Sequence, residues 1–183
     1  HPLSQTLHLV AQIAARIAAS LGTSAHQKTH PTMSASRHQV SARTQALLAW
    51  FENLQATDVT RMGAYYADPL FFKDPFNEVT QLAQVQHIFD DMFKRLEQPR
   101  FVVTTAIEQG DDCFLTWDFL FSTKGRKGGK GGRPWTIRGA SHLRFDAQGL
   151  VVFHRDYWDA AEELYEKLPV IGALMRWLKK RAG

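Results

Sequence analysis

Three aspartates and one histidine are the side chains of this sequence best suited to acid–base chemistry. Asp118 falls in FLTWDFLF and Asp156 in VVFHRDYWD, each among apolar neighbours. An ionised carboxylate in such surroundings is costly unless it is paired. Where two lie close together, one holds its proton to higher pH, which suits general acid–base work. Asp74, in FFKDPF, is a third candidate, and His154 is a possible base partner for Asp156. Plainer readings stand beside these. Asp118 and Asp156 can be salt-bridged to arginine or lie on a solvated edge. Asp74 can be a turn residue ahead of Pro75, and His154 a hydrogen-bonded core residue.

The elements that must position these groups follow from hydrophobic period. Val40, Thr44, Leu47, Leu48, Phe51 and Leu54 make one face of a helix over 39–56. Thr57 or Asp58 caps a second, short helix running through Tyr66, which Asp68-Pro69 closes. LFFKDPF reads as a short strand ending at Asp74-Pro75. Residues 81–96 return to helical spacing, with His87 on the polar, solvent-facing side. From Phe101 the period becomes two, and strands are expected at 100–109, 112–123, 134–146 and 149–158. Short links between them imply an antiparallel meander. The segment from Ala160 is amphipathic again, and Pro169 breaks it into two helical pieces. Helices, a meander and a closing helix make an α+β domain.

Alternation assigns faces within the meander. Trp135, Ile137, Leu143 and Phe145 share one face with Gly139 and Ser141, while Leu150, Val152, His154, Asp156 and Trp158 lie together on the last strand. On 112–123, Phe114, Thr116, Asp118 and Leu120 oppose Cys113, Leu115, Trp117, Phe119 and Phe121. Both faces of that strand are apolar-rich, so alternation alone does not say which one lines a cavity.

Charge divides the chain. Of 22 basic and 18 acidic residues, residues 1–51 hold four basic ones (Arg16, Lys28, Arg37, Arg43) and no acid. The net +4 therefore belongs to that stretch, and the neutral body argues against nucleic-acid binding. Residues 1–38 read as an appendage to a domain at 39–183. Leu3, Leu7, Val10, Ala14, Ile17 and Leu21 make an amphipathic, acid-free segment followed by a Ser-, Thr- and His-rich linker. That is the composition of an organellar import sequence. An appended expression sequence, or an over-extended start with Met33 opening the natural chain, fits it too. Otherwise a cytoplasmic location is expected. The five histidines before residue 40 are irregularly spaced, and the single Cys113 excludes a multi-cysteine metal site, so no metal or cofactor is expected. No apolar run reaches the ~20 residues a membrane helix needs. KGRKGGKGGRP (Lys124 to Pro134) lacks the spacing of a Walker A loop and reads as a charged hairpin tip, with phosphate or nucleic-acid contact as the alternative.

FFKDPF after a two-helix start, RGASHLRFD, and VVFHRDYWD followed by a helix resemble the nuclear-transport-factor-2-like superfamily, in its SnoaL-like and limonene-epoxide-hydrolase-like branches. The resemblance spans residues 40–172. It implies a cone-shaped, strongly curved antiparallel sheet wrapped around helices (a cystatin-like α+β barrel) enclosing an apolar pocket. In the epoxide hydrolase pattern Asp156 and Asp118 correspond to two aspartates bridged by an arginine. The arginine position is Thr116 here, and a tyrosine and an asparagine that hold water fall at Phe72 and Asp74. The acidic pair is retained and the water-handling group altered, so familiar epoxide hydrolysis is not implied.

Two function classes remain. One is an enzyme of isomerase, cyclase or hydrolase type acting on a small apolar ligand. Asp118 and Asp156 would exchange protons, Asp74 or His154 would assist, and Phe72, Phe114, Thr116, Leu120, Ile137 and Trp158 would shape the pocket. The other is a non-catalytic ligand-binding or dimeric accessory module. The resemblance also implies a homodimer formed through the outer sheet face, to which Trp117, Phe119 and Phe121 would offer an apolar surface.

Overall fold

The computed structural model describes residues 40–123, 132 and 134–159, so the expectations for residues 1–38, the glycine-rich loop and the C-terminal helical pieces lie outside the described residues. The order of elements is helix α1 (Ala42–Glu52), a 3-10 helix (Ala56–Ala64), strand β1 (Tyr66–Lys73), the two-residue β2 (Glu78–Val79), helix α2 (Leu82–Arg95) and four strands. These are β3 (Leu96–Gln109), β4 (Asp112–Thr123), β5 (Pro134–Phe145) and β6 (Val151–Tyr157). The α+β class and the antiparallel β3–β6 meander stand as expected.

One sheet holds all six strands in the order β2-β1-β6-β5-β4-β3 and does not close. The first strand extends earlier than its sequence pattern suggests. Tyr66 begins β1 instead of ending a helix, and Asp68-Pro69, a cis peptide, lies inside the strand. Pairing with β6 shifts register between Tyr66 and Phe71, and that gap accommodates a proline that cannot donate to the ladder. Because β1 runs parallel to β6, Phe72 comes beside His154 and Lys73 beside Arg155.

Both helices lie against the sheet and close the core. Ser41 caps α1 through its side chain, and Thr44, Leu47, Leu48 and Phe51 point inward at helical spacing. Val85 and Phe89 are the buried anchors of α2. They meet Val103, Leu115, Trp117, Ile137 and Leu143 from the strands, all nine-tenths or more buried. Burying each such side chain contributes about 1.5–3 kcal/mol. Cys113 is wholly buried, and that burial pushes its thiol up to about 11, which makes it a core residue and a poor nucleophile.

Glu108 ties α1 to the sheet. Its carboxylate accepts from the Ser41 backbone N–H (2.7 Å), the Ser41 hydroxyl (2.8 Å) and the Arg43 guanidinium (3.2 Å). Arg43 also donates to the Gly110 carbonyl at 2.7 Å and lies 4.6 Å from the Phe145 ring centroid. Gly110 takes φ +63 in the β3–β4 turn, a conformation that favours glycine. Burial alone would raise the Glu108 pKa, but the hydrogen bonds from Ser41, Thr44 and Arg43 outweigh it and hold the carboxyl below its ordinary value. A depressed carboxyl contributes stability above its unfolded pKa of about 4.3 and loses it as pH falls. Glu108→Gln is therefore expected to lower urea-unfolding stability by about 1–3 kcal/mol at pH 7, a difference that shrinks below about pH 4. Equal midpoints at pH 7 would contradict this anchor.

Candidate functional site

Strand register separates the aspartates expected to form a pair. Leu115 stands opposite Ser141, and Ser141 opposite Asp156, so these three share the inner face with Trp117 and His154. Asp118 stands opposite Arg138 on the other face, a third exposed, with its Oδ1 3.8 Å from the arginine Nε. The salt-bridged reading of Asp118 holds, and the Asp118–Asp156 dyad does not form. Phe114, Thr116 and Leu120 follow Asp118 outward and do not line the interior. Phe114 is half exposed and stacks on His142, with centroids 4.3 Å apart, and Thr116 shares a hydrogen bond with Thr104. Conversely, Trp117 and Phe121 are core residues and Phe119 packs against the core, so none of the three forms an outer surface. Phe72 and Ile137 are buried, and Trp158 is partly buried beside Phe76.

On the inner face a chain of hydrogen bonds converges on Asp156. Trp117 Nε1–H donates to Ser141 Oγ at 2.8 Å, and Ser141 Oγ donates to Asp156 Oδ1 at 2.6 Å. From the other side, Tyr66 Oη is 2.7 Å from His154 Nδ1, and His154 Nε2 is 2.8 Å from the same Oδ1. The proton positions follow from chemistry. An indole N–H only donates, so the serine hydroxyl proton points to Asp156. Complete burial, and then the Asp156 charge, raise the Tyr66 pKa well above its usual value, so the phenol keeps the proton it needs to donate to Nδ1. With Nδ1 accepting from the phenol, the Nε2–H of His154 is the proton directed at the carboxylate. Its ring is fixed by an edge contact to Phe72 (4.9 Å) and stacking on Tyr66 (5.9 Å). Among the described residues nothing donates to Asp156 Oδ2.

Asp156 borders two spaces. Inside is a cavity of about 20 Å³ lined by Phe51, Phe89, Phe101, Val103, Leu115, Trp117, Ser141, His154 and Asp156, room for one water. Outside is an open groove of about 490 Å³ lined by Lys73–Pro75 and Arg155–Asp159. Asp74 reaches that groove too. Its Oδ1 accepts from the backbone N–H groups of Phe76 (2.7 Å) and Asn77 (2.6 Å), so it is also the turn residue its place before Pro75 suggested. Burial raises its pKa, the Asn77 and Phe76 hydrogen bonds pull it back, and the Asp156 charge adds to the rise, leaving it above its ordinary value. Among the described residues, no cluster of three or more His, Cys, Asp or Glu is placed to hold a metal. Only Asp156, His154 and Asp74 of the expected catalytic set come together.

Tyr66, Ser141 and Trp117 complete the site and were not among the expected catalytic residues. A small hydroxyl among Trp135, Ile137, Leu143 and Phe145 was the one signal for Ser141. Gly139 makes the arrangement possible. A Cβ there would lie 2.4 Å from Trp117 Cη2 and 2.6 Å from Cζ2, so the indole lies flat over the strand only because residue 139 has no side chain. Gly139→Ala is expected to displace Trp117, break its bond to Ser141 and lower stability by about 1–3 kcal/mol, with a shift in tryptophan emission. An unchanged melting temperature and spectrum would contradict this packing.

Comparison with known proteins agrees with this architecture. The SnoaL-like domain family model matches residues 47–154, and no curated protein matches. Solved structures include a putative SnoaL-like polyketide cyclase from Shewanella putrefaciens, at 16% identity and TM-score 0.58, covering 72% of this chain and 99% of that one. An NTF2-like protein of unknown function from Burkholderia pseudomallei is similar at 17% identity and TM-score 0.58, covering 71% and 99%. A protein of ketosteroid isomerase-like fold from Catenulispora acidiphila, solved with trimethylamine, has 16% identity and TM-score 0.56, covering 69% and 92%. Identities this low speak to fold alone, and these neighbours share the cone-shaped NTF2-like architecture. The family match, which takes in the second half of α1, β1, α2 and most of the meander, shows that the chain belongs to the SnoaL-like domain family.

Proposed function

We propose that this protein performs acid–base chemistry of isomerase, cyclase or hydrolase type on a small apolar molecule, with Asp156 accepting and returning the proton. The observation that carries this reading is the asymmetry of its carboxylate. Oδ1 is held by Ser141 and His154, while Oδ2 receives no donor from the described residues and the group borders an open groove. A carboxylate fixed by one oxygen keeps the other for a substrate proton. With room inside for only one water, a larger ligand meets Asp156 from the groove side. Asp74, on the same groove and with its pKa raised by burial, serves as the acid. His154, Tyr66, Ser141 and Trp117 act as positioning residues. Membership of a family with polyketide cyclase-like neighbours supports the reaction class.

The test is a turnover survey with β,γ-unsaturated ketones, epoxides and aryl β-keto esters. On any substrate found, Asp156→Asn is expected to lose about 10²–10⁴-fold in kcat/KM, and Asp118→Asn to match wild type. Wild-type turnover by Asp156→Asn would sink the assignment. The pH dependence has a defined sign. An acid must be protonated to act, so the rate falls as pH rises through the raised Asp74 pKa, later than for an ordinary carboxyl. Asp74→Asn should remove that limb, and its persistence would exclude Asp74 as the acid.

A homodimer belongs to the same proposal, through a surface other than the Trp117 face. Phe114 stacks on His142, His142 lies 5.0 Å from Phe153, and Phe153 stacks on Phe71 at 5.1 Å. This aromatic row crosses four outer-face strands, with Ile107, 65% exposed, beside Phe114. Light scattering is expected to give a dimer mass at micromolar concentration and a monomer for Phe114→Lys. A monomeric wild type would rule it out.

A further inference from the structure

We propose that the groove beside Asp156 is a binding site for an aromatic carboxylic acid, with Arg155 as the carboxylate receptor. The inference deepens the preceding one and rests on it in one respect, that Asp156 is the group facing the bound molecule.

The groove exists because two neighbouring strands end at different places. Parallel pairing of β1 with β6 stops at Lys73↔Arg155, and β1 then turns away through Asp74-Pro75. β6 continues to Tyr157, paired among the described residues with β5 through Ser141↔Asp156 and Ala140↔Tyr157. Past Arg155 no described strand pairs with the β1 side of β6. This explains how residues from opposite faces of one strand, Arg155 outward and Asp156 inward, line a single space of about 490 Å³. That volume suits a small molecule.

The charges in the groove single out Arg155. Lys73 is committed to an ion pair with Glu78. Asp74 is held by its own turn, Asp156 by Ser141 and His154, and Asp159 has an interaction of its own. Three carboxylates thus share the groove with Arg155, yet its guanidinium forms an ion pair with none of the described residues. Its one described partner is the Tyr157 ring, 4.8 Å below it. Stacking on an aromatic face fixes the plane of a guanidinium and leaves its edge of N–H donors free. A carboxylate matches that edge with two parallel hydrogen bonds. A half-buried cation with no counter-ion among the described residues gains most from such a ligand. Tyr157 and Trp158, the latter braced by Phe76, supply flat apolar walls, which favour an aromatic ring on the acid.

Isothermal titration with naphthalene-2-carboxylate and its neutral amide, naphthalene-2-carboxamide, tests this. The wild-type protein is expected to bind the carboxylate about tenfold or more tightly than the amide. Arg155→Gln should abolish the preference, and Arg155→Lys, which keeps the charge and loses the fork, should leave an intermediate one. The lysine variant also carries the test if the glutamine variant does not fold. Asp156→Asn is expected to retain or enlarge the preference, since a nearby negative charge is removed. The binding result therefore stands apart from any loss of turnover in that variant, and the two readings fail separately. Equal affinity for acid and amide, no binding of either, or an unchanged ratio in Arg155→Gln would overturn the proposal.

Discussion

A carboxylate on the inner face of an apolar sheet must be supplied with hydrogen-bond donors, and much of this structure is arranged to supply them to Asp156. Four side chains from four strands take part. Tyr66 reaches in from the first residue of β1, Trp117 from β4, Ser141 from β5, and His154 from two positions earlier on β6. Their protons all point one way. The indole stands at one end as an obligate donor and the phenol at the other, and the carboxylate is the acceptor where both arms meet. The parallel placement of β1 beside β6 and the absence of a side chain at residue 139 are both conditions for that geometry.

The same constraint explains why part of the site was legible in the sequence and part was not. Asp156 and His154 stand at i and i+2 on one strand, and alternation alone puts them on one face. Asp118 was misplaced for a physical reason. β4 mixes Phe114 and Leu120 with Thr116 and Asp118 on one side and carries Leu115, Trp117 and Phe121 on the other, so a period of two leaves no cleanly polar face to mark the outside. The outer aromatics are accommodated there by stacking, Phe114 on His142 and Phe71 on Phe153. Tyr66 was hidden for another reason. Its partner lies 88 residues away, and the cis Asp68-Pro69 inside β1 reads in sequence as the end of a helix. The helices, the four-stranded meander and the α+β class were legible because the helical stripes are long and turn residues separate the strands.

Asp156 stands at a boundary between two environments. Inward, aromatic side chains leave room for one water, and outward, the early end of β1 opens a groove with Asp74 and Arg155 in it. A group at such a boundary is held by a rigid interior and presented to an adaptable exterior, which is the arrangement that acid–base chemistry on a bound molecule requires. The charged exterior pairs follow the ordinary logic of a solvated face. Asp118 with Arg138, and Asp112 with His142 and Arg144, stabilise the outer sheet surface and have no part in the inner chain.

The central claim is that the donors of the inner face converge on Asp156, and the protonation of His154 reports it most directly. Long-range ¹H–¹⁵N correlation spectra of histidine-labelled protein at neutral pH distinguish the two imidazole tautomers. Convergence on Asp156 predicts a proton on Nε2, with Nδ1 accepting from Tyr66 and its resonance shifting in Tyr66→Phe. A proton on Nδ1, or an imidazole that does not respond to the loss of the Tyr66 hydroxyl, would contradict it.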